Sequence, residues 1–167
     1  VLDGGSAVML PGCANTTITS LSEGAHNISV YANNSAGSTG SASVGFTVDT
    51  LEPSLNLLSP TNSTYSTTSA PLDYTVSDQN LDSCWYVLDS ASPVVLPGCA
   101  NSTLSSLSNG QHNITVYAND SAGNTQQDSE YFTVDTSAPL VSINSPQNTL
   151  YPADSTDLNY TVSGTNL

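Results

Sequence analysis

The sequence predicts an all-β protein made of two-layered sandwiches that recur every 86 residues, and three observations carry that expectation. The 167-residue chain aligns on itself at an offset of 86 without a gap, so that residues 1–81 fall on residues 87–167 with 46 identities. Short segments of period-2 apolar alternation are separated by clusters of Pro, Gly, Asn and Ser, and no stretch carries convincing helical periodicity. Hydrophobic residues make up 37% of the chain, enough for strands that bury one face and present Ser, Thr and Asn on the other.

The register of the repeat is fixed by residues 10–15 against 96–101, 26–33 against 112–119, and 46–50 against 132–136. One complete unit is expected at 51–136, preceded by the C-terminal part of another at 1–50 and followed by the N-terminal part of a third at 137–167. Within the complete unit the alternation places strands at 54–58, 71–77, 83–88, 94–96, 102–107, 111–119 and 130–134, a seven-stranded sandwich. Alternation is clearest from His112 to Asn119, where Ile114, Val116 and Ala118 share the face expected in the core and Asn113, Thr115, Tyr117 and Asn119 share the other. Asn109-Gly110 supplies the turn before this strand and residues 120–124 the turn after it. Pro53 and Pro139 mark joints of only a few residues, so neighbouring units are expected to be semi-rigid.

Leu107-Ser-Asn-Gly-Gln-His-Asn-Ile-Thr-Val-Tyr-Ala-Asn-Asp-Ser-Ala-Gly-Asn124, followed by Phe132-Thr-Val-Asp-Thr-Ser-Ala-Pro139, resembles the Ig-like repeats of bacterial and archaeal surface proteins. The resemblance covers essentially the whole chain. It implies tandem Ig-like or fibronectin-III-like sandwiches and an extracellular task in stalks, adhesins, surface layers or fibres. The cysteines depart from antibody-type domains, because their spacing is not that of a disulfide between the second and sixth strands.

Charge excludes several partners. There is no Lys or Arg, and 14 acidic residues give a formal charge of −14. A polyanion without a fixed cation releases no counterions from nucleic acid and is repelled by anionic lipid, so neither nucleic acid nor membrane insertion is expected. No apolar run approaches the roughly 20 residues that span a bilayer, and no basic-then-apolar signal segment stands at Val1. The chain begins without Met and stops within a recognisable pattern at Leu167, so it is expected to be an excerpt of a longer polypeptide.

Cys84 and Cys99 bracket the hairpin made by 83–88 and 94–96. A disulfide there would add roughly 3 kcal/mol for a loop of about 15 residues, the alternative being two buried thiols. Cys13 corresponds to Cys99, and its partner projects three places before residue 1. The segment after Ser137 supplies the first strands that the segment before Thr50 lacks, so head-to-tail copies would complete each other's sandwiches. Covalent continuation of the chain and strand donation between subunits both fit, and the orphan Cys13 favours continuation.

Eight Asn-x-Ser/Thr sequons, at Asn15, Asn27, Asn33, Asn62, Asn101, Asn113, Asn119 and Asn159, are candidates for covalent glycan, against plain surface asparagine. Calcium is a weak candidate cofactor. Asp78-x-Asn80-x-Asp82 alternates oxygen ligands, but Ser83 and Asp89 stand where an EF-hand needs Gly and Glu, and Gly164 replaces Asp78 in the other copy. Only Asp3/Asp89 and Asp49/Asp135 keep their carboxylates in both copies, and at Asp49 and Asp135 turn capping is the simpler role. His26 and His112 hold the same repeat position at a strand start, where a structural role is expected. Without Lys, Arg, a phosphate loop or a His beside a nucleophile, no catalytic constellation is present and no enzyme is expected. Trp85, Tyr86, Tyr74 and Phe132 read as core and hairpin packing, although alternation sets Trp85 opposite Cys84 and Tyr86. The leading expectation is a glycosylated extracellular stalk or filament of head-to-tail repeats, and the alternative is an adhesin that recognises carbohydrate or another cell surface.

Overall fold

The alternating pattern at 112–119 becomes the central strand of a sheet, because each sheet can bury only the face on which its apolar residues fall. The computed structural model describes residues 1–165, and Asn166 and Leu167, the end of the last expected fragment, lie outside the described residues. The chain divides into two units, Val1–Leu51 and Glu52–Leu167.

In the first unit, strands β1 (Gly24–Asn33) and β2 (Thr39–Val48) form an antiparallel hairpin with Gly24 opposite Val48 and Asn33 opposite Thr39. A 3-10 turn at Pro11–Cys13 precedes it, and Leu2 bridges to Ile28. The second unit holds β3 (Ser54–Ser59), β4 (Thr64–Tyr65), β5 (Ala70–Ser77), β6 (Leu81–Leu88) and β7 (Val94–Val95). A 3-10 turn at Pro97–Cys99 follows, then β8 (Ser102–Leu104), β9 (Gly110–Asp120), β10 (Thr125–Val134), β11 (Leu140–Ser145) and β12 (Asn159–Ser163). One sheet runs β4-β10-β9-β6-β7 and a second β3-β5-β8, while β11 and β12 pair with each other. β1 and β9 begin 86 positions apart, as do β2 and β10, and the two 3-10 turns.

The five- and three-stranded sheets enclose one apolar core. Leu72 and Tyr74 of β5 and Leu104 of β8 face Cys84 of β6, Ile114, Val116 and Ala118 of β9, and Phe132 and Val134 of β10, all buried. Each fully buried Leu, Ile, Val or Phe contributes about 1.5–3 kcal/mol, so this cluster is the main stabilising term of the sandwich. The fold is an Ig-like all-β sandwich, with eight strands between Glu52 and Thr136 among the described residues where seven were expected. The additional strand, Thr64–Tyr65, pairs in parallel with Thr133 and Val134 and is too short to show periodicity.

Two boundaries differ from the alternation by more than two residues. β8 ends at Leu104, not Leu107, because Ser106 turns through a positive φ of 58° and Leu107 reaches the core from a loop. β10 begins at Thr125, not Glu130, because backbone pairing with β9 continues past the apolar residues, with Gln127 opposite Tyr117. Its inward Asp128 is satisfied by the Leu57 N–H of β3 at 2.8 Å. A sequence read by hydrophobicity does not show such a segment as a strand.

The turn between β9 and β10 depends on a buried acceptor. Asp120 Oδ1 accepts N–H bonds from Ala122 and Asn124, both at 2.9 Å, while Gly123 takes a φ of 94°. In the first unit Asn34 does the same for Ala36 and Ser38, both at 3.0 Å. An amide oxygen replaces a carboxylate because the turn needs only an acceptor.

Cys84 and Cys99 are joined by a disulfide with Cα atoms 5.1 Å apart, tying β6 to the turn after β7. Cys13 is exposed and has no disulfide among the described residues. The bond closes a loop of sequence separation 15. Reduction under native conditions is expected to lower unfolding stability by about 3 kcal/mol, read as a fall in the urea midpoint. A midpoint unaffected by reductant would show that the bond does not constrain the unfolded chain.

Candidate functional site

The polar feature shared most completely by the two units is a corner built on histidine. β9 carries His112 inward beside Phe132, with ring centroids 5.3 Å apart. Its Nδ1 bonds to Asp89 Oδ2 at 2.6 Å and its Nε2 donates to the Ser108 carbonyl at 2.8 Å. The second oxygen, Asp89 Oδ1, accepts the Asn113 N–H at 2.9 Å. Asp89 takes a positive φ of 51°, which aims its short side chain back onto the strand. The first unit repeats the arrangement. His26 bonds to Asp3 Oδ2 at 2.7 Å and to the Ser22 carbonyl at 2.8 Å, beside Phe46, and Asp3 Oδ1 accepts the Asn27 N–H at 2.7 Å.

An ionised carboxylate and a carbonyl are both acceptors, so the ring satisfies both only with a proton on each nitrogen. For His112, burial pulls the pKa down, but the bonds to Ser108 and Asp89 outweigh it and the net shift is upward. For His26 the Ser22 bond and then the Asp3 bond raise it. The Asn27 N–H and His26 hold Asp3 below the ordinary carboxylate range. With both nitrogens engaged, neither ring is placed to take a proton from a nucleophile. The corner fastens three segments.

Sequence reading did not join Asp89 to His112. The available signal was that both members recur in the two copies at a separation of 23 residues.

Three of the four calcium candidates accept a bond from the backbone two residues on: Asp78 from Asn80 at 2.6 Å, Asp49 from Leu51 at 3.3 Å, and Asp135 from Ser137 at 3.0 Å. Asp82 lies exposed on β6. Among the sequons, Asn15, Asn27, Asn33, Asn62, Asn101 and Asn159 are exposed, while Asn113 and Asn119 are half-buried on the outer face of β9. Asn101 Oδ1 accepts the Tyr74 N–H at 3.2 Å. Of the aromatics grouped as core packing, Tyr74 and Phe132 are buried. Trp85 belongs elsewhere, because alternation turns it away from Cys84 to stack on Tyr117.

The apolar faces differ sharply between equivalent positions. Val116 is fully buried and its equivalent Val30 is 52% exposed; Leu72 is fully buried and Leu158 is 65% exposed; Tyr74 is 5% exposed and Tyr160 is 55% exposed. β1–β2 and β11–β12 each expose apolar side chains of the kind buried at the equivalent positions of the sandwich.

Residues 100–160 match the bacterial Ig-like domain (group 3). The match runs from the turn before β8 through β9, β10 and β11 to the start of β12. No curated protein matches the chain. Among the described residues, no helix is long and apolar enough to cross a membrane.

The histidine corner makes a signed prediction. Stabilisation by a histidine whose folded pKa is raised is complete below its unfolded value, 6.5, and is lost as pH climbs through the folded value. Stabilisation by Asp3, whose pKa is lowered, is complete above 3.8 and is lost as pH falls through the folded value. The thermal midpoint of the full chain should therefore be highest between these limits and decline on the alkaline side. His112→Asn should shrink the alkaline decline in calorimetry, and an unchanged slope would contradict the assignment. Removal of the ring in His112→Ala should cost about 2–4 kcal/mol through two lost charge-assisted bonds and a cavity.

Proposed function

We propose that the chain is a structural module of an extracellular stalk or filament, in which each sandwich is completed head to tail by the next copy. The carrying observation is the pair of uncovered apolar faces. The core face of β1–β2 lacks the sheet that β3 and β5 provide over β9–β10, and β11–β12, the equivalents of β3 and β5, expose the residues that would fill it. Contiguous exposed apolar surface of this kind marks an interaction site in a soluble protein.

Joint geometry supports an extended array. Asn109 Oδ1 accepts bonds from the backbone and hydroxyl of Thr136 at 3.1 and 2.9 Å, and its Nδ2 donates to Ser137 Oγ at 3.2 Å. The Thr165 hydroxyl bonds Asp135 across the same joint. In the first unit Glu23 takes the place of Asn109 and holds Thr50 through its N–H and hydroxyl. Chain exit from the last strand is thereby fixed in direction, which suits a stiff fibre better than beads on a flexible string.

The reading is non-enzymatic. Both histidines are held by two acceptors each, and Ig-like domains of this kind generally carry no catalysis. Extracellular placement agrees with the disulfide, which persists in oxidising compartments.

Electron microscopy of the native assembly should show filaments with a periodic axial repeat, and isolated particles without periodicity would overturn the reading. Val30→Asp, placed on the exposed core face, should abolish assembly and leave the melting of the complete sandwich intact. Intact mass under denaturing conditions separates the two routes to the same contact. After removal of sugar, a species near 17.2 kDa identifies subunits that exchange strands, and a larger one identifies a continuous chain.

A further inference from the structure

The outer face of the five-stranded sheet has a chemistry of its own. Cross-strand pairing sets Ser83, Asn119 and Thr125 in one row, Trp85, Tyr117 and Gln127 in the next, and Val87, Thr115 and Ser129 in the third. None of these is charged, in a chain whose 14 fixed charges are all negative. Trp85 and Tyr117 lie parallel, 3° apart with centroids at 5.4 Å, and both are half-buried outside the core. An aromatic pair flanked by amides and hydroxyls and free of charge suits a neutral pyranose, whose C–H edges meet the negative ring faces while its hydroxyls meet the polar rows.

A tether for that sugar stands in the adjoining row. Asn119 begins the sequon Asn119-Asp120-Ser121 and lies two residues from Tyr117 on the same side of β9, about 7 Å along the strand. Its amide is held flat against the sheet. Oδ1 accepts the Ser83 hydroxyl at 2.5 Å and Nδ2 donates to the Asp120 carbonyl at 3.3 Å. An amide nitrogen has two protons, so this bond survives when the other is replaced by a sugar. In the first unit Tyr31 and Asn33 keep the same spacing and sequon. We propose that Asn119 carries an N-linked glycan whose first, neutral sugar ring packs over the Trp85–Tyr117 pair. The glycan is then a fixed part of the sheet surface, covering its aromatic rows. This rests on the extracellular reading but not on head-to-tail assembly.

Trp85 is the sole tryptophan, so its emission reports on this face alone. The full chain, secreted from a host that N-glycosylates, should yield a chymotryptic peptide bearing sugar at Asn119, trypsin having no Lys or Arg to cut. Ser121→Ala removes the sequon but leaves the Asn119 bonds, and should shift Trp85 emission to longer wavelength and increase its quenching by acrylamide. Asn113→Gln, which removes the other sequon on β9, should leave Trp85 unchanged. Asn119 found bare would overturn the proposal, as would sugar at Asn119 with identical Trp85 emission in the Ser121→Ala chain. Quenching of Trp85 in the unglycosylated chain by free chitobiose, with Asn119 bare, would replace it with recognition of free carbohydrate. Electron microscopy of the Ser121→Ala chain keeps the failure of this inference distinct from that of assembly, which should persist.

Discussion

Everything in this protein depends on a geometric constraint of the β-strand: side chains alternate, so each sheet has one apolar face, and that face must be covered. Between Glu52 and Thr136 the constraint is met within the chain, where Leu72 and Tyr74 close over Ile114, Val116 and Phe132. In β1–β2 and β11–β12 it is not, and the same residue types at equivalent positions stand open to solvent. Exposure there is the physical ground on which head-to-tail assembly is proposed. An interface formed this way has the composition of a domain core cut in half, as permanent assemblies do.

A second constraint comes from composition. With no Lys or Arg, no carboxylate can be neutralised by a fixed cation, and buried Asp120 is satisfied by backbone N–H and amide donors, whereas the buried Tyr74 hydroxyl has no partner. Asp120 is the clearest case. Burial alone would raise its pKa, yet the donors from Asn124, Gly123 and Ala122 lower it. Histidine is the one side chain here able to carry positive charge, and both copies of it are set against a carboxylate and beside a core phenylalanine. A protein without salt bridges to strong bases thus retains one titrating ion pair in each unit, at the corner where a loop, a turn and the central strand meet.

Much of the fold was readable from alternation and turn chemistry. The central strand, its inward Ile114, Val116 and Ala118, the turn at 120–124 and the Cys84–Cys99 hairpin needed only local rules. The polar half of β10 was not readable, because its pairing is made by backbone atoms that carry no sequence signal, and its inward Asp128 is satisfied by a strand 71 residues away. Nor was the stacking of Trp85 on Tyr117, since which residue lies beside Trp85 depends on the register of β6 against β9.

The sequence by itself determined the fold class, the 86-residue recurrence, the strand faces and the lack of any Lys or Arg, because these follow from side-chain type and spacing along one strand. Only the tertiary structure decided that Asp89 grips His112, that Asn119 is fastened beside the aromatic pair, and that two apolar faces stand uncovered. Each of these depends on groups distant in the chain meeting across strands or loops. Such meetings are set by register and by the packing of one sheet on another, which no local pattern encodes.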